Sequence, residues 1–303
     1  MEIISIFEKP PQKKQVALAL GLFDGIHIGH KALILETVAL AKKNGLTPAV
    51  FTFHQTDYKG TPTLYPRQAT YEQMEKLGIE IIFEAEFKDI ASFSPEAFVD
   101  EVLRNIATPK ILLCGDNFRF GAKAAGNTDS LKMLFSREGE QVVVVPPVLY
   151  EGEMVSSSAI REALSAGNPP LARTYLGMPY TLYGNVGHGK AVGRTMHFPT
   201  LNLEIPCGFL VPRRGVYVCK AKIEGVSYPA IANIGRRPTL ENKANDNAEV
   251  HLLHTSGDFY GKEVEVQLLD FVREEKQFDS IDALSQQIQK DVAYTEAWFQ
   301  ANT

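Results

Sequence analysis

GLFDGIHIGH, residues 21–30, lies where an apolar strand pattern gives way to a helical one. Upstream, VALAL (16–20) is a short apolar run bounded by polar residues, as in a buried parallel strand. Downstream, Leu33, Leu35, Val38, Ala39 and Ala41 recur at helical spacing until Asn44-Gly45, a stop signal. Gly21, Gly25 and Gly29 therefore fall in or beside a strand-to-helix turn, with His27 and His30 at the helix entrance. A helix N-terminus offers unpaired N–H groups and a partial positive charge, which suit phosphate. Glycines let a polyphosphate approach the backbone. Two imidazoles three residues apart share one side of the first turn, where they can donate to phosphate oxygens as charge builds. A single histidine there would read as a cap or a surface residue, but a pair in a glycine-punctuated turn points to nucleotide handling.

Composition narrows the class. At 303 residues, two domains are expected, and 45% hydrophobic content is that of an ordinary globular chain. A net charge of -5 gives no general affinity for nucleic acid. Cys114, Cys207 and Cys219 are far apart and odd in number, which fits neither a disulfide framework nor a zinc site but does fit a reducing, cytoplasmic setting. The opening MEIISIFEKP has no basic region followed by an apolar core, so no leader is expected. No apolar run approaches membrane-spanning length, so no membrane partner is expected either.

The first half alternates strand-like and helix-like segments. Residues 50–53, 79–83, 110–114 and 141–145 read as short strands. Ser94-Pro95 opens a helix on which Phe98, Val102 and Ile106 repeat every four residues. This predicts a Rossmann-like α/β domain over 1–180, a parallel sheet with ligands at its carboxyl ends. Residues 165–180 hold two turn signals and read as the join. After about residue 180 come β-rich runs, GVYVCKAKI, YPAIANI, AEVHLLH and VEVQLLDFV, which predict a small β-barrel over 181–303. A terminal amphipathic helix follows, capped by Asp279 or Ser280, with Ile281, Leu284, Ile288, Val292 and Phe299 on its apolar face. Core packing is the expected role of that helix.

A second chemical cluster, GNVGHGKAVGRTMHFPTLN, spans 184–202. Four glycines, Lys190 and Arg194 fall within its first eleven residues, a composition that frees N–H groups and supplies cations for phosphate. It is not a Walker A loop. Composition alone leaves a solvated loop as the equal alternative.

The order of motifs settles more than any one of them. GLFDGIHIGH is similar to the HIGH signature of nucleotidylyltransferases, which class I aminoacyl-tRNA synthetases share. The synthetase alternative lacks a KMSKS-like lysine-rich loop and a basic surface. GDNFRFG (115–121), SSSAIREALSAG (156–167), the Gly-Arg-Thr and FPTLN segment, NIGRRPT (233–239), AEVHLL and VREEKQF (272–278) follow in turn. Across nearly the whole chain this order resembles the prokaryotic bifunctional riboflavin kinase/FMN adenylyltransferase family, also called FAD synthetases.

The resemblance implies two reactions. ATP phosphorylates riboflavin to FMN, and a second ATP donates AMP to FMN to give FAD and pyrophosphate. In the transferase half it implies that His27 and His30 bind ATP phosphates and stabilise the transition state. Gly21, Phe23, Asp24 and Gly25 belong to the same turn, and Ser156, Ser157, Ser158 and Arg161 serve the pyrophosphate. In the kinase half, Gly187, Gly189, Lys190, Gly193 and Arg194 hold ATP, while Thr200 and Asn202 hold Mg²⁺. Glu249 is the implied base, and Arg273 and Phe278 cover the flavin. Hydroxyl and carbonyl oxygens are hard ligands suited to Mg²⁺.

Some positions depart from the family pattern. His54-Gln55-Thr56-Asp57 stands where DPHP is usual, Asn117 where an acid is usual, and Ala124 or Ala125 where a basic residue is expected. Leu22, Ser158, His197 and Leu201 are further departures. Two alternatives stay open at this point: a riboflavin kinase with a vestigial or regulatory N-terminal domain, and a non-catalytic flavin- or nucleotide-binding regulator.

Overall fold

The computed structural model describes residues 1–7, 14–54, 61–187, 200–237, 245–255 and 257–302. The chain divides into two compact units: Met1–Thr63 with Arg67–Ser156, and Leu64–Pro66 with Ser157–Thr303. Among the described residues, no helix is long and apolar enough to cross a membrane.

The first unit is built on six strands: β1 (Glu2–Ser5), β2 (Gln15–Leu20), β3 (Thr47–His54), β4 (Ile81–Glu86), β5 (Thr108–Gly115) and β6 (Gln141–Val145). They form one parallel sheet in the order β1-β4-β3-β2-β5-β6. β2 is central, and both its faces are covered. Val16, Leu18 and Leu20 enter one apolar cluster, and Ala17 and Ala19 enter the other. That is why its sequence is an unbroken apolar run rather than an alternation.

From β2 the chain crosses through helix α1 (Ile28–Asn44) to β3 on one side, while β5 lies on the other. The strand order therefore reverses between β2 and β5, and the turn 21–30 leaves the carboxyl end of β2 at that switch point, where α/β folds bind ligands. α1 buries Leu33, Ile34, Thr37 and Ala41, while Leu35 is 51% exposed. Its buried stripe is thus set one residue away from part of the predicted apolar face. Gly45, with φ 64°, ends it in a left-handed cap. Ser94 caps the next helical stretch by accepting from Ala97 N–H at 3.2 Å, but residues Phe98–Leu103 then widen into a π-helix. Phe98, Val102 and Ile106 are all buried.

The second unit holds β9 (Tyr180–Asn185), β10 (Thr200–Glu204), β11 (Gly215–Ile223), β12 (Val226–Arg237), β13 (Asn245–Leu252) and β14 (Glu263–Glu274); β7 (Leu149–Tyr150) and β8 (Glu153–Met154) form a hairpin in the first unit. The second sheet is antiparallel throughout, in the order β10-β13-β12-β11-β14-β9. It curls until its two edges meet at one point, where Gly187 N–H donates to Asn202 O at 2.8 Å. Ala248, Val250, Ala232, Ile234, Tyr217 and Cys219 fill the inside.

The stretch expected to join the domains contains a helix, Pro169–Leu176. Asn168 caps it, its two prolines occupy the first turn, and Gly177 ends it at φ 66°. Its Ala172 and Leu176, with Ile160, Ala163 and Leu164 of helix Ser157–Ser165, belong to the core of the second unit. The terminal helix Ile281–Ala301 is capped by Ser280, which accepts from Ala283 N–H at 3.2 Å.

β11 begins at Gly215, whose φ of 150° and bare Cα let β14 close on it. A Cβ there would lie 2.3 Å from Arg273 O and 2.7 Å from Phe271 Cε2. Gly215→Ala is expected to lower the unfolding free energy by more than about 2 kcal/mol, through backbone strain and displacement of β14. Thermal unfolding checks this; an unchanged melting temperature contradicts it.

Candidate functional site

Chemistry-bearing side chains gather in two places, one in each unit. The first is the turn after β2. Gly21 N–H donates to Phe51 O at 3.3 Å, and the Phe23 ring lies against Gly21, where a Cβ would be 3.1 Å from Cζ. Phe23, Asp24, Gly25, Ile26 and His27 are all buried. Gly25 adopts φ 68°, a conformation that costs glycine little. His27 is the cap of α1: its Nδ1 accepts from His30 N–H at 3.2 Å. His30 Nδ1 in turn donates to Gly25 O at 2.9 Å. The two rings stack with centroids 3.7 Å apart and planes 19° apart. Gly29 is flush against the His27 ring, 3.1 Å from where a Cβ would stand.

These bonds assign the tautomers. His27 Nδ1 is an acceptor, so its Nε2 carries the proton in the neutral ring; His30 Nδ1 is the donor, so its Nε2 holds a lone pair. Burial lowers the pKa of His27 to about 2, with the neighbouring His30 adding to the effect. Burial lowers that of His30 to about 4, opposed in part by the bond to Gly25 O. Lys31, in the first turn of α1, is also lowered by burial. The turn is therefore a desolvated site holding neutral imidazoles, where an arriving anion meets little competing water.

The loop after β5 lies beside it in the sheet order, on the far side of the switch point. Phe118 stacks on Phe120 at 5.7 Å, Phe120 tilts against Phe98 at 5.6 Å, and Phe98 meets Phe51 edge-on at 5.6 Å. Phe53 and Phe87 form a further pair at 5.2 Å. Two of these rings, Phe118 and Phe120, come from the GDNFRFG motif; the wider aromatic group does not show in the sequence because its members are scattered. Asn117 is exposed, and Ala124 sits at φ 56°, an uncommon conformation for a residue with a side chain. Of the serine run, Ser156 ends the first unit, while Ser157, Ser158 and Arg161 lie on helix Ser157–Ser165 of the second.

The second place is the outer face of the curled sheet. β13 pairs with β10 so that Asn202 faces Glu249 and Thr200 faces His251. It pairs with β12 so that Asn233 faces the same Glu249. Alternation sends the flanking Ala248 and Val250 inside and these polar groups outside. Thr200, Asn202 and Asn233 are half-buried, and Glu249 is exposed. The Gly187–Asn202 bond ties the one described glycine of the phosphate-loop assignment to this strand. Gly189, Lys190, Gly193, Arg194 and His197 lie outside the described residues, as do Gln55, Thr56 and Asp57.

Arg273 and Phe278 mark one margin of that face. The guanidinium of Arg273 grips Asp291 of the terminal helix, Nε at 3.0 Å from both oxygens and Nη2 at 2.6 Å. Gln287 donates to Asp291 Oδ1 at 2.8 Å, and Thr295 donates to its carbonyl at 2.8 Å. Phe278 lies over Arg273, with the ring centroid 5.9 Å from Cζ. Between them Glu275 lies against Gly235, so tightly that a Cβ would be 2.0 Å from Oε1. Arg273 thus fixes the segment that carries Phe278, and Asp291 fixes Arg273. The terminal helix is anchored by a buried acid, which an apolar-stripe reading does not find; its signal is an aspartate one position before Val292 of that stripe.

Comparison with known proteins adds two family models. One, described as FAD synthetase, matches residues 9–159, and one described as riboflavin kinase matches residues 176–299. A bifunctional riboflavin kinase/FMN adenylyltransferase of Listeria monocytogenes is 33% identical over 291 residues, covering 93% of this chain and 92% of its own. One from Haemophilus influenzae is 35% identical over 291 residues, covering 93% and 94%. A solved structure named as a macrolide-efflux protein from Streptococcus pneumoniae is 30% identical, covers 98% of both chains and superposes with a TM-score of 0.87.

Two outcomes are expected. Asp291→Ala strands a guanidinium that is 22% exposed in the folded chain, and loss of about 3–5 kcal/mol is expected from breaking such a pair; denaturant unfolding measures it, and a change near zero contradicts it. The histidines set a pH dependence. Their folded pKa values, about 2 and about 4, lie below the ordinary histidine value of 6.5, so the unfolded chain takes up protons first. Their contribution is complete above about pH 6.5 and is lost as the pH falls toward 4. His27→Asn keeps a cap acceptor and removes one titrating ring, so melting temperature should fall less steeply between pH 7 and 5 than in the parent. Superimposable slopes contradict this assignment.

Proposed function

The chain belongs to the family of bifunctional riboflavin kinases/FMN adenylyltransferases, and we propose from that membership how its own residues divide the work. It phosphorylates riboflavin to FMN with ATP and adenylylates FMN to FAD with a second ATP. The observation that carries the kinase assignment is the line Asn202–Glu249 across β10 and β13: a carbonyl oxygen and a carboxylate on adjacent strands, at the strand edge where the phosphate loop begins.

Glu249 is the base of the kinase. It accepts the proton of the ribityl 5′-hydroxyl as that oxygen attacks the γ-phosphorus of ATP, a contribution of about 10²–10⁴ in rate. Thr200 and Asn202 are the residues for Mg²⁺. The donor set fits: both are half-buried, both face outward from one strand, and hydroxyl and carboxamide oxygens are hard ligands. Among the described residues, no cluster of His, Cys, Asp and Glu offers a competing metal site. When bound, the ion neutralises charge on the ATP phosphates. Gly187, with Gly189, Lys190, Gly193 and Arg194, holds the phosphate chain. Phe278 covers the isoalloxazine, and Arg273 serves by holding Phe278 in place.

In the transferase, His27 Nε2–H is a ready donor to a phosphate oxygen, whereas His30 Nε2 becomes one only on taking up a proton. Negative charge that develops on the leaving pyrophosphate favours that uptake, so His30 strengthens its interaction as the transition state is reached. The desolvated turn makes both interactions stronger than they would be in water. Gly21, Phe23, Asp24 and Gly25 shape the turn, and the family membership supports a pyrophosphate role for Ser156, Ser157, Ser158 and Arg161. Phe118, half-buried and backed by the buried Phe120, offers an apolar ring for the flavin of FMN. Small-molecule substrates in a cytoplasmic setting complete the reading.

Product analysis separates the two activities. With riboflavin, ATP and Mg²⁺, Glu249→Gln is expected to lower FMN formation by about 10²–10⁴-fold while FAD formation from supplied FMN stays near parental. His30→Ala is expected to do the reverse. FMN formation by Glu249→Gln at the parental rate contradicts the kinase assignment.

A further inference from the structure

We propose that Asn233 is a positioning residue of the kinase, acting through Glu249; the inference rests on the reading of Glu249 as base. Glu249 sits on the middle strand of three, β10, β13 and β12, and is flanked at the same level by two carboxamides, Asn202 on one side and Asn233 on the other. Directly opposed residues of antiparallel strands have Cβ atoms about 4.5–5.5 Å apart, so both amides are within reach of the carboxylate. Asn202 is committed elsewhere: its backbone carbonyl holds Gly187, its Nδ2 lies 3.5 Å from Thr200 O, and its oxygen belongs to the cation site. Asn233 carries no such commitment. Among the described residues its side chain makes no hydrogen bond.

The placement costs stability, which calls for a reason. Asparagine is disfavoured in strands, on a scale spanning about 1 kcal/mol. Here it interrupts the apolar run Ala230-Ile231-Ala232-Asn233-Ile234 in an interior strand, half-buried. The next residue along the same level, on β11, is Val216, which packs with Ile231 and Val292. Asn233 is therefore the last polar group of the line, set between the carboxylate and an apolar floor. The two side chains are not bonded in the substrate-free chain; once the Glu249 carboxylate turns to the substrate, a carboxamide N–H from that side fixes its rotamer and leaves its other oxygen for the substrate hydroxyl. Misplacing a base by about 1 Å can cost about 100-fold in rate without loosening substrate binding.

The test uses the full-length chain with riboflavin, ATP and Mg²⁺, and four variants: Asn233→Ala, Asn233→Asp, Glu249→Gln, and Asn233→Ala with Glu249→Gln. The isosteric Asn233→Asp keeps the shape of the side chain and exchanges the donor for an acceptor. Both single changes at Asn233 are expected to lower the kcat of FMN formation by about 10–100-fold, with KM for riboflavin and ATP within about threefold of the parent. FAD formation from supplied FMN and the melting temperature should hold. The double variant should be no slower than Glu249→Gln alone, because a positioning residue has nothing to position once the base is gone.

Four results overturn the proposal. An unchanged kcat removes the role. A change confined to KM makes Asn233 a substrate contact. Effects that multiply in the double variant make it independent of Glu249, and melting that falls in step with activity makes it structural. Parental activity in Glu249→Gln alone would instead overturn the underlying reading of the base, so the two failures are distinguishable.

Discussion

Strand register is the constraint on which the kinase face depends. In β13 the side chains alternate, with Ala248 and Val250 in the core and Glu249 and His251 outside. A slip of one residue against β10 or β12 would bury the carboxylate in the apolar interior and expose the alanine and valine. Burying an unpaired carboxylate is strongly unfavourable, and so is exposing the core, so the two penalties act together to hold one register. The same alternation brings Thr200 and Asn202 to the outer face of β10, because they are two residues apart on one strand. The geometry proposed for catalysis is thus a by-product of how the sheet buries its inner surface.

The first unit uses a different device. The groups proposed to act there stand at a helix end, and their protonation is set by burial rather than by a neighbouring carboxylate. His27 caps α1 with one nitrogen and keeps the other for a ligand; His30 spends one nitrogen on Gly25 O. Each ring is thereby locked in one tautomer and one orientation, which is what a preorganised phosphate site requires. Neutral imidazoles in a dry turn also avoid the cost of burying two like charges with ring centroids 3.7 Å apart. In the proposed reading the two units meet the same problem, charge on a polyphosphate, with different arrangements.

Much of this was legible in the sequence. The glycine-punctuated turn, the parallel order of the first sheet and the antiparallel texture of the second follow from local pattern, because one burial rule generates each. Helix Pro169–Leu176 was not legible, because Asn168-Pro169-Pro170 reads as a turn until Asn168 is seen capping and the prolines are seen in the first turn, where no N–H is needed. The Arg273–Asp291 pair was only half legible. Arg273 was marked only by the family resemblance, and its partner is 18 residues away on a helix whose pattern advertises only its apolar stripe. Asn233 was hidden for a similar reason: its meaning lies in what stands opposite it on β13. Pairings between distant segments carry the information that a local reading lacks.

The measurement that bears most directly on the account is a crystal structure of the chain with riboflavin, ADP and Mg²⁺ bound. The account predicts the ribityl 5′-oxygen within hydrogen-bond reach, about 2.6–3.2 Å, of a Glu249 carboxylate oxygen, with Thr200 and Asn202 on the cation. A flavin bound on another face of the sheet, or a 5′-oxygen beyond the reach of Glu249, would contradict it.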